Sequence, residues 1–84
     1  MTHAEADELM IRASGGLAHA VLLKPQRPNR FAVRIWSKRP GWNQPGCFGN
    51  DFIEFGAKSW PQALKQVLSS GIQLAHPEVL ADAL

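Results

Sequence analysis

The segment from Phe31 to Lys38 alternates between apolar side chains and basic or aromatic ones. One side of the extended chain carries Phe31, Val33 and Ile35. The opposite side carries a longer set: Arg30, Ala32, Arg34, Trp36 and Lys38. A period of two is typical of a β-strand that buries one face and leaves the other in water. The pattern therefore predicts a sheet with one covered face, which helices must cover.

The first of these helices is predicted near the start of the chain. Thr2 and Glu5 have the spacing of a capping box, in which each side chain satisfies a backbone N–H of the first turn. Gly15-Gly16 then supply the residue type that a left-handed C-cap requires. An apolar stripe at helical spacing is formed by Ala6, Leu9, Met10 and Ala13.

The second helix has the clearest sequence pattern. Ser59 and Gln62 form another capping-box pair, and Gly71 is the expected C-cap. Its wide apolar stripe consists of Trp60, Ala63, Leu64, Val67 and Leu68. A short terminal helix is predicted from His76-Pro77, with Leu80, Ala83 and Leu84 as its apolar residues.

Two further strands are predicted, from Leu17 to Lys24 and from Asp51 to Gly56. In the latter, Ile53 and Phe55 share one face, and Phe52 and Glu54 share the other. Proline and glycine mark the intervening loops, Lys24 to Arg30 and Arg39 to Asn50. The expected fold is a single small α+β domain over residues 1–84, in the order α-β-β-β-α with a short C-terminal helix. Its three-stranded antiparallel sheet has the helices packed on one face.

The composition favours a protein of the cytoplasm. Cys47 is the single cysteine, so no intramolecular disulfide can form. The chain starts with acidic residues, whereas a secretory signal starts basic. The uncharged run from Ala13 to Leu23 has eleven residues and contains Gly15-Gly16, so it is too short and too broken to span a bilayer.

The residues that could carry catalysis form no recognisable arrangement. His3, His19, His76 and Cys47 lack the spacing of metal ligands. Asp51 and Glu54 fall on opposite faces of a strand, where they fit solvated charges better than an acid–base pair. The glycines form no phosphate-binding motif. The sequence therefore predicts a protein that is not an enzyme and has neither a metal nor a cofactor.

The charges are strongly segregated along the chain. Between Leu9 and Asn50 there are seven cationic residues and no acidic ones. Cations interleaved with aromatic rings are the expected pattern of a nucleic-acid-binding sheet, because cations neutralise phosphates and rings stack on bases. The residues predicted to bind nucleic acid or another partner are Arg27, Arg30, Arg34, Trp36, Lys38, Arg39 and Trp42.

Two other interpretations of the same residues stay open. In a purely structural one, Trp36 packs sideways on Phe52, and the cations discourage aggregation through the sheet edge. In the other, the surface binds a protein, for instance one that handles nucleic acid, since Arg and Trp are enriched at interface hot spots. Small regulators and inhibitors of phages and mobile elements, anti-CRISPR proteins and antitoxins among them, have this general form. An exposed tryptophan face in so small a domain is also compatible with a homodimer.

The predicted α-β-β-β-α order resembles that of the double-stranded RNA-binding domain over Thr2 to Gly71. That resemblance implies RNA contact through lysines at the start of the last helix. Here Ser59 and Ala63 match that segment, but the lysines are missing, with only Lys58 and Lys65 nearby. Pro45-Gly46-Cys47-Phe48 followed by Ala63-Leu64 is similar to a segment of small antitoxins of the HicB type, although a whole strand intervenes here.

Overall fold

The computed structural model of the chain describes residues 1–15, 18–23, 30–36 and 52–84. The elements follow the predicted order: α1 (His3–Ser14), β1 (Ala18–Leu23), β2 (Phe31–Trp36), β3 (Ile53–Ala57), α2 (Trp60–Ser69) and α3 (Pro77–Ala83). The α+β prediction is therefore confirmed. The predicted connections at 24–30 and 39–50 lie outside the described residues, apart from Arg30. None of the described helices has the length and apolar character needed to cross a lipid bilayer.

Helix α1 begins and ends as its sequence predicts. Thr2 Oγ1 accepts the Glu5 N–H at 3.2 Å, and Glu5 Oε1 accepts the Thr2 N–H at 3.4 Å. Gly15 caps the other end in the left-handed conformation, with a φ of 56°. The predicted stripe faces the core: three of its residues are fully buried and Leu9 is half-buried. Local hydrogen bonds and apolar spacing thus explain the whole helix.

Helix α2 departs from the prediction only at its caps. The structure shows one of the two hydrogen bonds of the predicted capping box: Ser59 Oγ accepts the Gln62 N–H at 3.3 Å. The C-cap is Ser70 rather than Gly71, and its backbone N–H bonds to the Val67 carbonyl. Gly71 is the next residue and takes the left-handed conformation with a φ of 82°. The C-cap is therefore one residue earlier than predicted, while the left-handed turn falls on Gly71, where glycine carries little conformational cost.

Helix α3 packs through a slightly different face from the predicted one. Leu80 is fully buried and Leu84 is half-buried, as expected. Ala83 is exposed, however, and the half-buried Val79 packs against the core. The methyl group of Ala83 lines an open groove between α1 and α3, where a side chain that short fills little space.

The sheet has the order β1-β2-β3, and both pairings are antiparallel. Val33 lies opposite Val21 on β1 and opposite Phe55 on β3, so these three side chains share the helix-covered face. The largest fully buried side chains come from both layers: Met10, Ile35, Leu64, Leu80, Val33 and Val67. Helix α1 packs on β1, whereas α2 packs on both β2 and β3.

Two histidines connect α1 to β1. His3 Nε2 donates to the Val21 carbonyl at 2.6 Å, and His19 Nε2 donates to Asp7 Oδ1 at 3.2 Å. The His3 ring also meets the edge of Trp60, with the ring centroids 5.6 Å apart. Since α1 and β1 adjoin in sequence and pack together, these bonds fix their relative position. Both histidines thus have structural partners.

Candidate functional site

The sheet face opposite the helices, called the outer face below, brings together several residues predicted to bind. Arg34 on the central strand β2 lies opposite Ala20 on β1 and opposite Glu54 on β3. Trp36 is two residues further along β2, so it points to the same face. Its neighbour across the strands is Phe52, which directly precedes β3. We call Arg34, Trp36, Phe52 and Glu54 the outer-face cluster.

Arg34 is held in the cluster by two interactions. Its Nε donates to Glu54 Oε1 at 2.8 Å, and its Cζ lies 4.3 Å from the centroid of the Phe52 ring. The two charged side chains are 31% and 34% exposed, so the ion pair contributes only about 0.2–1 kcal/mol. A cation over an exposed ring adds about 0.5–1 kcal/mol. The guanidinium is therefore oriented, while part of it still faces the solvent.

Phe52 is the centre of the cluster. The Trp36 ring meets it edge-on, with centroids 5.5 Å apart and an interplanar angle of 61°. Phe52 nevertheless keeps 37% of its surface exposed, which makes it one of the few large apolar residues in the described chain that face the solvent. The expected sideways packing of Trp36 on Phe52 is present. The contact between Trp36 and Phe52 leaves part of the Phe52 ring exposed beside the Arg34 guanidinium.

Arg30 lies near the other end of the outer face. A Cβ atom built on Gly56 would lie 3.3 Å from Arg30 Nε and 3.4 Å from its Nη2, so the guanidinium lies directly over Gly56. A side chain at position 56 would therefore require the Arg30 guanidinium to shift slightly. In the part of the chain that the structure describes, Arg30 has no hydrogen bond or ion pair.

Ala32 is an exception to the prediction that this face of β2 is exposed. Its side chain points the same way as that of Arg34, as the alternation predicts, yet it is fully buried. The physical reason is its size: longer side chains surround it, with Leu22 opposite on β1 and the two arginines on either side along β2. At this position the outer face is therefore formed by the neighbouring side chains and not by Ala32.

Glu54 and Phe52 are the site residues that the sequence reasoning missed. Glu54 was expected to be a solvated charge, whereas the structure pairs it with Arg34. The period-two alternation of β3 had already assigned both residues to the outer side of the strand. The missing part was the pairing register, which sets Glu54 opposite Arg34. The other predicted binding residues, Arg27, Lys38, Arg39 and Trp42, lie outside the described residues.

The described residues offer no arrangement of metal ligands: no group of three or more His, Cys, Asp or Glu side chains comes together among them. The exposed His76 and Glu78 side chains form a pair, with Nδ1 3.3 Å from Oε1, at the start of α3. At the start of α2, where the RNA-binding resemblance implies lysines, the structure buries Trp60 and Ala63 and exposes Lys58 and Lys65. No protein family model, curated protein or solved structure matches the chain.

Proposed function

We propose that this chain is a non-enzymatic binding protein that contacts nucleic acid through the outer face of its sheet. The observation that carries the proposal is the outer-face cluster, in which a guanidinium lies over a partly exposed aromatic ring with a tryptophan at its edge. Single-stranded nucleic acids are bound by this combination: cations follow the phosphates and rings stack on the bases.

The two arginines of the outer face suit different tasks. Arg30 has no ion-pair partner among the described residues, so binding a phosphate costs it no existing bond. Arg34 is already bonded to Glu54, which holds its guanidinium in a fixed orientation but offsets its charge. We therefore assign phosphate neutralisation mainly to Arg30, and base stacking to Trp36 and Phe52. Arg27, Lys38, Arg39 and Trp42 extend this surface in the proposal, because the acid-free stretch contains them.

One observation favours a second function, that of a regulator or inhibitor binding a protein that handles nucleic acid. The Glu54 carboxylate reduces the positive charge of the cluster, and Phe52 adds exposed apolar surface. Arginine and tryptophan around such a ring are typical of protein interface hot spots. In both proposals the cytoplasm is the compartment, as the single cysteine suggests.

Binding to short fluorescein-labelled oligonucleotides, single- and double-stranded, tests the first function. Fluorescence anisotropy is measured between about 20 and about 300 mM salt, and the slope of log K against log salt counts the phosphate contacts. Arg30→Ala should reduce the slope by about 0.7–0.9. Trp36→Ala should weaken binding by about 1–3 kcal/mol through lost stacking, with little change in slope.

Lys65→Ala is the matched control, because it removes an exposed cation from the helix layer. It should leave both the affinity and the slope as in the wild type. No affinity of the wild type at the lowest salt would refute nucleic-acid binding, and so would an equal slope change in Lys65→Ala and Arg30→Ala. Capture of a protein partner that Trp36→Ala abolishes, without nucleic-acid affinity, would establish the second function instead.

A further inference from the structure

The Arg34 guanidinium is held through one nitrogen and leaves its other two nitrogens unbonded. Its Nε donates to Glu54 Oε1 at 2.8 Å, and its Cζ lies over the Phe52 ring, 4.3 Å from the centroid. In the described part of the chain, neither of its two Nη groups forms a hydrogen bond or an ion pair. The side chain is 31% exposed. The two Nη groups are therefore oriented donors that a ligand can reach.

Glu54 decides which kind of acceptor these donors suit. Its carboxylate offsets the charge of the Arg34 guanidinium, so the pair attracts an anionic phosphate less strongly than an arginine without an acidic partner does. The directions of the Nη N–H bonds do not change, because the guanidinium is planar and its donors form a rigid fork. Arg34 is therefore better suited to a neutral acceptor than to a phosphate.

The rings beside Arg34 indicate that this neutral acceptor belongs to a planar ligand. Phe52 contacts both the guanidinium and the Trp36 ring, so one nucleobase can reach Arg34 and Trp36 together. Trp36 is half-buried, and stacking on such a ring does not depend on the identity of the base. Any preference among the bases must therefore come from the Arg34 donors.

Two neighbouring donors bond best to two acceptors that lie side by side on one edge of a base. Guanine offers O6 and N7 in this arrangement, and arginine bound to these two atoms is the commonest base-specific contact in protein–DNA complexes. Adenine N7 lies beside an amino group, which is a donor. An unpaired cytosine also has two adjacent acceptors, O2 and N3, but its single ring has less surface to stack on a tryptophan. Guanine therefore fits the cluster best.

We propose that the outer-face cluster recognises an unpaired guanine, whose O6 and N7 accept from the two Nη groups of Arg34 while its rings stack on Trp36. The base is unpaired because a duplex covers both faces of each base with its neighbours. Glu54 and Phe52 act as positioning residues that hold the guanidinium. This inference rests on the proposed function, to which it adds a preference for one base.

Fluorescence anisotropy with the full chain and single-stranded probes tests the base preference. The probes are fluorescein-labelled thymine oligonucleotides in which one central base is guanine, adenine, cytosine or 7-deazaguanine. The wild type should bind the guanine probe roughly tenfold to a hundredfold more tightly than the all-thymine probe, as expected of one bidentate arginine contact. 7-Deazaguanine keeps O6 and the ring shape but has carbon in place of N7, so its probe should bind roughly tenfold less tightly than the guanine probe.

Arg34→Lys separates the two donors of the guanidinium from its charge. Lysine keeps the positive charge beside Glu54, but its ammonium group is a point charge and lacks the planar fork that matches two acceptors. This variant should lose the preference for guanine, while its affinity for the all-thymine probe stays within about threefold of the wild type. Arg30→Lys is the matched control, because it makes the same replacement at the other arginine of the outer face. It should keep the guanine preference, and circular dichroism should show both variants folded.

Equal affinity of the wild type for all probes would overturn guanine recognition and leave nucleic-acid binding in place. Equal affinity for the guanine and 7-deazaguanine probes would also overturn it, since N7 would then accept no hydrogen bond. A guanine preference that survives Arg34→Lys would show that Arg34 is not its source. Absence of binding to every probe at low salt would overturn the proposed function together with this inference, so the two failures give different results.

Discussion

Gly15 ends α1 where the chain passes very close to the segment before α3. Its φ of 56° lies in the left-handed region, and a Cβ atom built there would lie 2.0 Å from the Ala75 Cβ and 3.3 Å from the Ala75 Cα. The two segments are also bonded, because the His76 N–H donates to the Ala13 carbonyl at 3.1 Å. Ala75 therefore cannot move away without disturbing that hydrogen bond. Gly15→Ala should destabilise the fold for two separable reasons.

The first reason is conformational and the second is steric. A non-glycine residue in the left-handed region costs about 1–2 kcal/mol. The overlap with Ala75 requires a backbone shift, and overpacking of this kind costs about 1–3 kcal/mol more. Gly71 provides the matched control: its φ is 82°, and a Cβ built there meets nothing within 4 Å. Gly71→Ala should therefore lose only the conformational part.

Urea denaturation followed by circular dichroism gives the free energy of unfolding for both variants. Gly15→Ala should lose about 1–3 kcal/mol more than Gly71→Ala. Adding Ala75→Gly to Gly15→Ala should recover most of that difference, because it removes the atom that the new methyl group meets. Equal losses in the two single variants would refute the steric argument. A double variant without recovery would show that Ala75 is not the obstacle.

Three further predictions follow from the described contacts. Leu64→Ala removes a fully buried side chain and should cost about 2–5 kcal/mol, so the thermal midpoint should fall by many degrees rather than one or two. Thr2→Ala removes the cap of α1 and should cost about 0.5–2 kcal/mol in urea denaturation. Glu54→Gln removes a negative charge from the outer face and should tighten nucleic-acid binding in the anisotropy assay; unchanged or weaker binding would contradict the proposed contact surface.

The elements of this fold could be predicted from local patterns. Thr2 and Ser59 mark the starts of two helices. Each side chain accepts the backbone N–H three residues later, so this interaction lies within a single helical turn and can be predicted from local sequence. The alternation of β2 placed Val33 and Ile35 in the core and Arg34 on the outer face, since a strand has a period of two. These predictions needed only interactions between residues that are close in sequence.

The composition of the candidate site required the tertiary structure. Arg34 and Glu54 are separated by twenty positions, and only the register of β2 against β3 sets them opposite each other. A shift of one residue would have turned Glu54 to the helix-covered face, and the intervening loop gives no local signal for the register. The burial of Ala32 likewise depends on Leu22 of the neighbouring strand β1, which lies opposite it. Local sequence thus determined the elements and their faces, whereas long-range packing decided which side chains meet, because strand pairing joins residues that share no local geometry.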